Sequence, residues 1–90
     1  MTETVTPLLD ALDGLETTLR AHVQSSATTD ALYQCERLRL AIKNSHEEGT
    51  RFAAFTIGRR LAHADPPIDE PTARAHEALR QKLIAAGVRL

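Results

Sequence analysis

The stretch KNSHEEGTR, residues 43–51, decides how this 90-residue chain folds, because it contains no apolar side chain and separates two strongly helical patterns. As a loop it would join two short helices, whereas as a helix it would be the exposed face of one long helix. Lys43, Glu47 and Arg51 are spaced by four, which makes opposite charges neighbours on a helix surface. This spacing favours a continuous helix.

The pattern of small and apolar residues also favours a continuous helix. Small and apolar residues recur across the stretch in steps of four and three, as on one helix face. They are Ala31, Cys35, Leu38, Ile42, Ser45, Gly49, Phe52 and Thr56. We therefore predict a long central helix over about residues 30–64, with a possible kink near Gly49, since glycine weakens a helix by up to about 1 kcal/mol. The alternative is a break, in which Ser45 and Glu48 form a capping box that starts a second helix.

A helix is predicted on either side of this central one. Thr6 and Pro7 suit the start of the first helix, whose inward face is a stripe in steps of four and three. The stripe comprises Leu8, Leu12, Leu15, Leu19 and Val23. Pro66 and Pro67 end the central helix. The sequence thus predicts an all-α fold of three helices in a single small domain, residues 1–90.

The last helix has clear end signals. Asp69 or Glu70 suits its N-cap, and Gly87 suits a left-handed residue after its last turn. The residues expected to face inward are Ala75, Leu79, Leu83 and Ala86.

A second copy of the chain is predicted to complete this bundle. A helix over residues 30–64 would be about 52 Å long, whereas a compact chain of this size has a diameter of roughly 30 Å. Its second half is apolar around most of its circumference, so it needs cover on several sides. We therefore predict a homodimer, most commonly two-fold. The candidate interface residues are Ser45, Gly49, Phe52, Phe55, Ile57 and Leu61.

Composition excludes several classes of function. The net charge is −1 and only 3% of residues are aromatic, which argues against a nucleic-acid partner on electrostatic and stacking grounds. The chain shows no signal peptide and no apolar run of membrane-spanning length, so no membrane partner is expected. Cys35 is the only cysteine, which rules out an intrachain disulfide and suits the cytoplasm.

The sequence predicts no catalytic residue, metal site or cofactor. No two histidines share the spacing that puts two ligands on one helix face. Cys35 lies on the inward stripe and is interpreted as a buried structural thiol. One candidate anion-binding site gathers near the end of the central helix, where basic groups also complement the helix dipole. It comprises Arg59, Arg60, His63 and Arg74.

These features favour a non-enzymatic homodimer that acts as an interaction, adaptor or regulatory module. Its predicted partner is a second copy of itself, with another protein as a further candidate. The alternative is a carboxylate- or phosphate-binding protein with its site at the dimer interface. A long helix, the connection ADPPIDEPTAR and a further helix resemble helical chorismate mutases over residues 31–83. That resemblance implies a dimeric enzyme that binds a dicarboxylate with basic residues from both chains. The connection here is longer than in that family, and the family's last helix has no counterpart.

Overall fold

A computed structural model describes residues 2–21 and 25–90, and this part of the chain forms four α-helices. The helices are α1 (Thr2–Ala21), α2 (Ser26–Lys43), α3 (Glu47–Ala62) and α4 (Glu70–Ala85). The predicted all-α class is confirmed. The predicted central helix over residues 30–64 is wrong, because α2 and α3 are separate helices joined by a three-residue turn.

Helix α2 ends in a complete Schellman motif. Ser45 takes the left-handed conformation with φ of 53°, and its N–H donates to the carbonyl of Ile42 at 3.1 Å. The N–H of His46 donates to the carbonyl of Ala41 at 2.8 Å. These two bonds satisfy carbonyls at the end of the helix and reverse the chain. They outweigh the charge pairs that favoured continuity, each worth only about 0.2–0.5 kcal/mol.

The side chain of His46 caps the N-terminus of α3. Its Nδ1 accepts a hydrogen bond from the N–H of Gly49 at 2.8 Å, so histidine serves as the N-cap. A Cβ atom at Gly49 would lie 2.7 Å from this Nδ1, which explains why glycine stands there. The kink predicted near Gly49 is therefore wrong: the chain reverses before it, and Gly49 lies in the first turn of α3. The capping-box alternative located the break correctly but placed the cap at Ser45, one residue early.

Both ends of α4 lie where the capping signals predict, whereas the start of α1 does not. Asp69 caps α4 by accepting from the N–H of Thr72 at 2.9 Å, and Gly87 after the helix has φ of 90°, as predicted. Helix α1 begins at Thr2 rather than after Thr6, so Pro7 lies within it. Val23, the last residue predicted for the stripe of α1, lies outside the described residues.

The break lets the chain bury its own core. Helix α3 folds back against α2, and α1 packs against both α4 and α2. The core side chains that are almost fully buried include Leu12, Leu15, Leu19, Cys35, Leu38, Ile57, Leu79 and Leu83. The radius of gyration is 12.0 Å, close to the value of about 12 Å expected for a compact chain of this length. Because no helix spans residues 30–64, helix length gives no reason for a second copy. A dimer has to be inferred from other features.

Candidate functional site

Helix α3 has two faces of opposite character. One face packs into the core through Thr50, Ala53, Ala54, Ile57 and Leu61. The other face points away from the core and carries four exposed residues, Glu48, Phe52, Phe55 and Arg59, which we call the outer stripe. Their steps of four, three and four keep them in one line along the helix. Phe52 and Phe55 leave 63% and 58% of their surfaces exposed, which is unusual for the largest apolar side chains of a small domain.

The C-terminal segment enlarges this apolar surface. Leu90 is 52% exposed and shares with Phe52 and Phe55 the lining of an open cavity of about 350 Å³. The guanidinium Nε of Arg51 donates to the carbonyl of Arg89 at 3.2 Å and ties the segment to α3. Three large apolar side chains therefore lie together on the same side of the molecule.

The charged residues at the two ends of the outer stripe, Glu48 and Arg59, make only weak, exposed contacts within the chain. The Oε1 of Glu48 lies 3.2 Å from Nη1 of Arg51, one turn along the same exposed surface. The guanidinium carbon of Arg59 lies 5.8 Å from the centroid of the Phe55 ring, a cation–π contact worth about 0.5–1 kcal/mol at an exposed site. Exposed contacts of this kind are easily exchanged, so both charges are available to an approaching surface.

The predicted interface residues divide into two groups. Phe52 and Phe55 lie on the outer stripe, and Ser45 is exposed at the turn before it. Ile57 and Leu61 are buried within the chain's own core, with 0% and 4% of their surfaces exposed. These two residues are therefore corrected to core positions, because the chain reverses at Ser45 and α3 packs back against α2.

Gly49, the remaining predicted interface residue, is half-buried. Its near neighbours are the His46 ring and the Cβ of Ala41 within the same chain. Its small size thus serves the helix start.

Three of the four predicted anion-binding residues come together. Arg59, Arg60 and His63 line an open cavity of about 290 Å³ that also borders the first turn of α2. Arg60 Nε lies 3.7 Å from a carboxylate oxygen of Asp30, which also lines the cavity. Arg74 does not contribute to it, because its guanidinium pairs with Glu70 on α4 at 2.6 Å.

A polar cluster between α1 and α2 is a feature that the sequence interpretation missed. Glu16 is 5% exposed and pairs with Arg39, which also binds Asp13 at 2.7 Å. The position of Glu16, four residues after Leu12 and three before Leu19, was the available signal that it borders the core. The neighbouring Cys35 is fully buried, and burial, followed by the negative charge of Glu16, raises the pKa of its thiol to about 12. At neutral pH this thiol is protonated and is not a nucleophile.

Within residues 2–21 and 25–90, no group of three histidine, cysteine or acidic side chains is arranged to hold a metal ion. None of the helices in this part of the chain combines the length and the apolar character needed to cross a bilayer. Comparison with protein-family models, with curated proteins and with solved structures finds no match for this chain.

Proposed function

We propose that this protein is a homodimeric interaction module whose two copies meet through the outer stripe of α3. The observation that carries the proposal is the pair of exposed phenylalanines, Phe52 and Phe55, set between opposite charges on the face of α3 that points away from the core. Within the monomer both side chains stay more than half exposed. Exposed aromatic clusters with a polar surround are typical of protein interfaces.

The outer stripe is complementary to itself when two copies run antiparallel. Its midpoint falls between residues 53 and 54, with Phe52 and Phe55 equally distant from it, as are Glu48 and Arg59. A two-fold axis at this midpoint sets Phe52 against the partner's Phe55 and Glu48 against the partner's Arg59. The same surface then serves both copies, as a two-fold interface requires.

The charges select this orientation over the parallel one. In a parallel pair Glu48 would face the partner's Glu48 and Arg59 the partner's Arg59, and facing like charges are unfavourable. The phenylalanines supply the affinity, at about 1.5–3 kcal/mol for each side chain that is fully buried. Four such side chains in a dimer contribute at most about 6–12 kcal/mol, since each is already partly buried in the monomer. This is on the same scale as the rotational and translational cost of association, about 4–15 kcal/mol.

A dimer of this kind presents two copies of every remaining surface, which suits an adaptor or regulatory module that acts on another protein. We also propose the cytoplasm as its compartment. The support is that the single cysteine, Cys35, is a buried free thiol, so the fold has no intrachain disulfide that an oxidising compartment would form.

Sedimentation equilibrium at micromolar concentration tests the dimer. The wild-type chain, 9.9 kDa, should sediment at twice that mass, and the double variant Phe52→Ser/Phe55→Ser should sediment as a monomer with unchanged helix content. Leu40→Ser is the matched control, because Leu40 is 60% exposed on α2 and lies outside the outer stripe. A wild-type monomer at every concentration, or a control that dissociates as readily as the double variant, would refute the proposal.

A second candidate function is the binding of a small phosphate or carboxylate. The observation that favours it is that Arg59, Arg60 and His63 line one cavity beside the first turn of α2. Phosphate should then raise the melting temperature of the wild type, and Arg60→Gln should remove that rise. Arg74→Gln, which removes an arginine outside the cavity, should keep it. An identical response from both variants would exclude this site.

A further inference from the structure

Helices α3 and α4 leave an open groove between them. The close helix contacts within the described residues join α2 with α3 and α1 with α4 and α2, while α3 and α4 only flank the groove. The groove has a volume of about 340 Å³, within the range of small-molecule sites in proteins, about 300–1,000 Å³. Its floor is apolar and includes Ile57, Gly58, Leu79 and Leu83.

Within the described part of the chain, every ionisable side chain that lines this groove is basic. They are Arg59, His63, His76 and Arg80. The guanidinium of Arg80 is held by Glu77 through two hydrogen bonds of 3.0 and 3.1 Å, so its charge is already balanced. Arg59 contacts only the Phe55 ring in the part of the chain that the structure describes, and it is the guanidinium free to bind an anion.

Two further residues shape the groove. A Cβ atom at Gly58 would meet only the ring of His76, at 3.7 Å, so the absence of a side chain there keeps the groove open. His76 is half-buried, and burial lowers the pKa of its imidazole. A neutral imidazole offers a hydrogen-bond donor at neutral pH without adding a charge.

We propose that this groove binds a small apolar carboxylate, with its hydrocarbon part on the floor and its carboxylate at Arg59. Charge complementarity supports this ligand, because the rim has an uncompensated arginine and, among the described residues, no acidic side chain lines the groove. An arginine binds a carboxylate through two parallel hydrogen bonds. The inference goes beyond the proposed dimer, since all the groove residues belong to one copy. In the proposed dimer Arg59 pairs with the partner's Glu48, so a carboxylate ligand and the dimer compete for the same guanidinium.

Amide NMR titration with n-octanoate tests the site against n-octylammonium, a cation with the same chain. Octanoate should shift the amides of Gly58 and Leu79 in a saturable way. Octylammonium should bind at least about tenfold more weakly, because it lacks the charge-assisted bonds to Arg59. Arg59→Gln should reduce octanoate binding to the level of uncharged n-octanol.

The matched pair of variants is Gly58→Leu and Gly14→Leu. Gly14 lies in α1 with open space where its Cβ would be, so it receives the same substitution away from the groove. Gly58→Leu should abolish octanoate binding, and Gly14→Leu should leave it unchanged. If Gly58→Leu does not fold, Ala62→Leu obstructs the same groove from an exposed position.

Equal binding of octanoate and octylammonium, shifts confined to other residues, or unchanged octanoate binding after the groove is filled would each overturn the inference. So would the absence of saturable shifts. A failed dimer would leave the inference standing, because Arg59 is then free and the monomeric protein should still bind octanoate.

Discussion

Helices α1 and α3 use their large apolar residues in opposite ways. In α1 the leucines of the stripe all face the core, and the exposed fraction of each is 6% or less. In α3 the two largest apolar residues, Phe52 and Phe55, face outward, while alanine and threonine occupy three of the five core positions. The face of α1 is explained by the folding of one chain. The outer face of α3 is not, and this difference is the basis for assigning it to a partner.

The largest effect should come from truncating the core face of α1. Leu12→Ala removes a fully buried side chain, and such changes cost about 2–5 kcal/mol of stability. Phe52→Ala removes a larger side chain from the outer stripe, yet it should change the stability of the monomer by no more than about 0.5 kcal/mol, as for ordinary surface changes.

Urea unfolding at a protein concentration below dimerisation measures both values. Near-equal losses for Leu12→Ala and Phe52→Ala would mean that Phe52 contributes to the monomer's fold, which would remove the contrast between the two helices.

Helix α1 also contains a buried carboxylate, Glu16, that is stabilised by its ion pair with Arg39 of α2. Arg39→Ala should cost about 3 kcal/mol, because it leaves the carboxylate of Glu16 buried without its guanidinium. Replacing both residues by leucine should cost far less, since an apolar pair needs no compensation. A double-mutant cycle built from Glu16→Leu, Arg39→Leu and the double variant, measured by urea unfolding, checks this. Additive losses would show that Glu16 does not depend on Arg39.

Substitutions at the start of α3 should change the stability less than those in α1. The effect of one of them should reverse its sign when the other is present. His46→Ala should cost about 1 kcal/mol, since it removes the N-cap. Gly49→Ala should destabilise the wild type, because its Cβ would lie 2.7 Å from Nδ1 of His46.

In the His46→Ala background, Gly49→Ala should instead stabilise the chain by up to about 1 kcal/mol, the helix preference of alanine over glycine. Thermal unfolding of the four proteins measures both signs. The same sign in both backgrounds would contradict the capping role of His46.

Much of the fold was predictable from the sequence because its signals are local. The leucine steps of α1 and the Asp69 cap and Gly87 terminus of α4 each depend on a few neighbouring residues. The break after α2 was only the alternative prediction, because it depends on a left-handed serine, Ser45, and a left-handed conformation more often belongs to glycine or asparagine.

The same error limited the prediction of the candidate site. With α2 and α3 treated as one helix, Phe52 shared an inward stripe with Ser45, and Ile57 was assigned to an interface. When α3 begins after its N-cap, His46, the residues from Glu48 to Arg59 that form the outer stripe lie in one line along the helix. Its spacing is present in the sequence, but which way it faces depends on where α3 begins.

Mixing two charge-reversed chains tests the antiparallel dimer most directly. Glu48→Arg places arginine against the partner's Arg59, and Arg59→Glu places glutamate against the partner's Glu48, so each variant alone has two repulsive contacts. In a mixed dimer both contacts become attractive. We predict that each variant sediments as a monomer and that an equimolar mixture forms a 1:1 heterodimer at low salt. Homodimers of either variant as stable as the wild type, or a mixture that stays monomeric while the wild type dimerises, would contradict it.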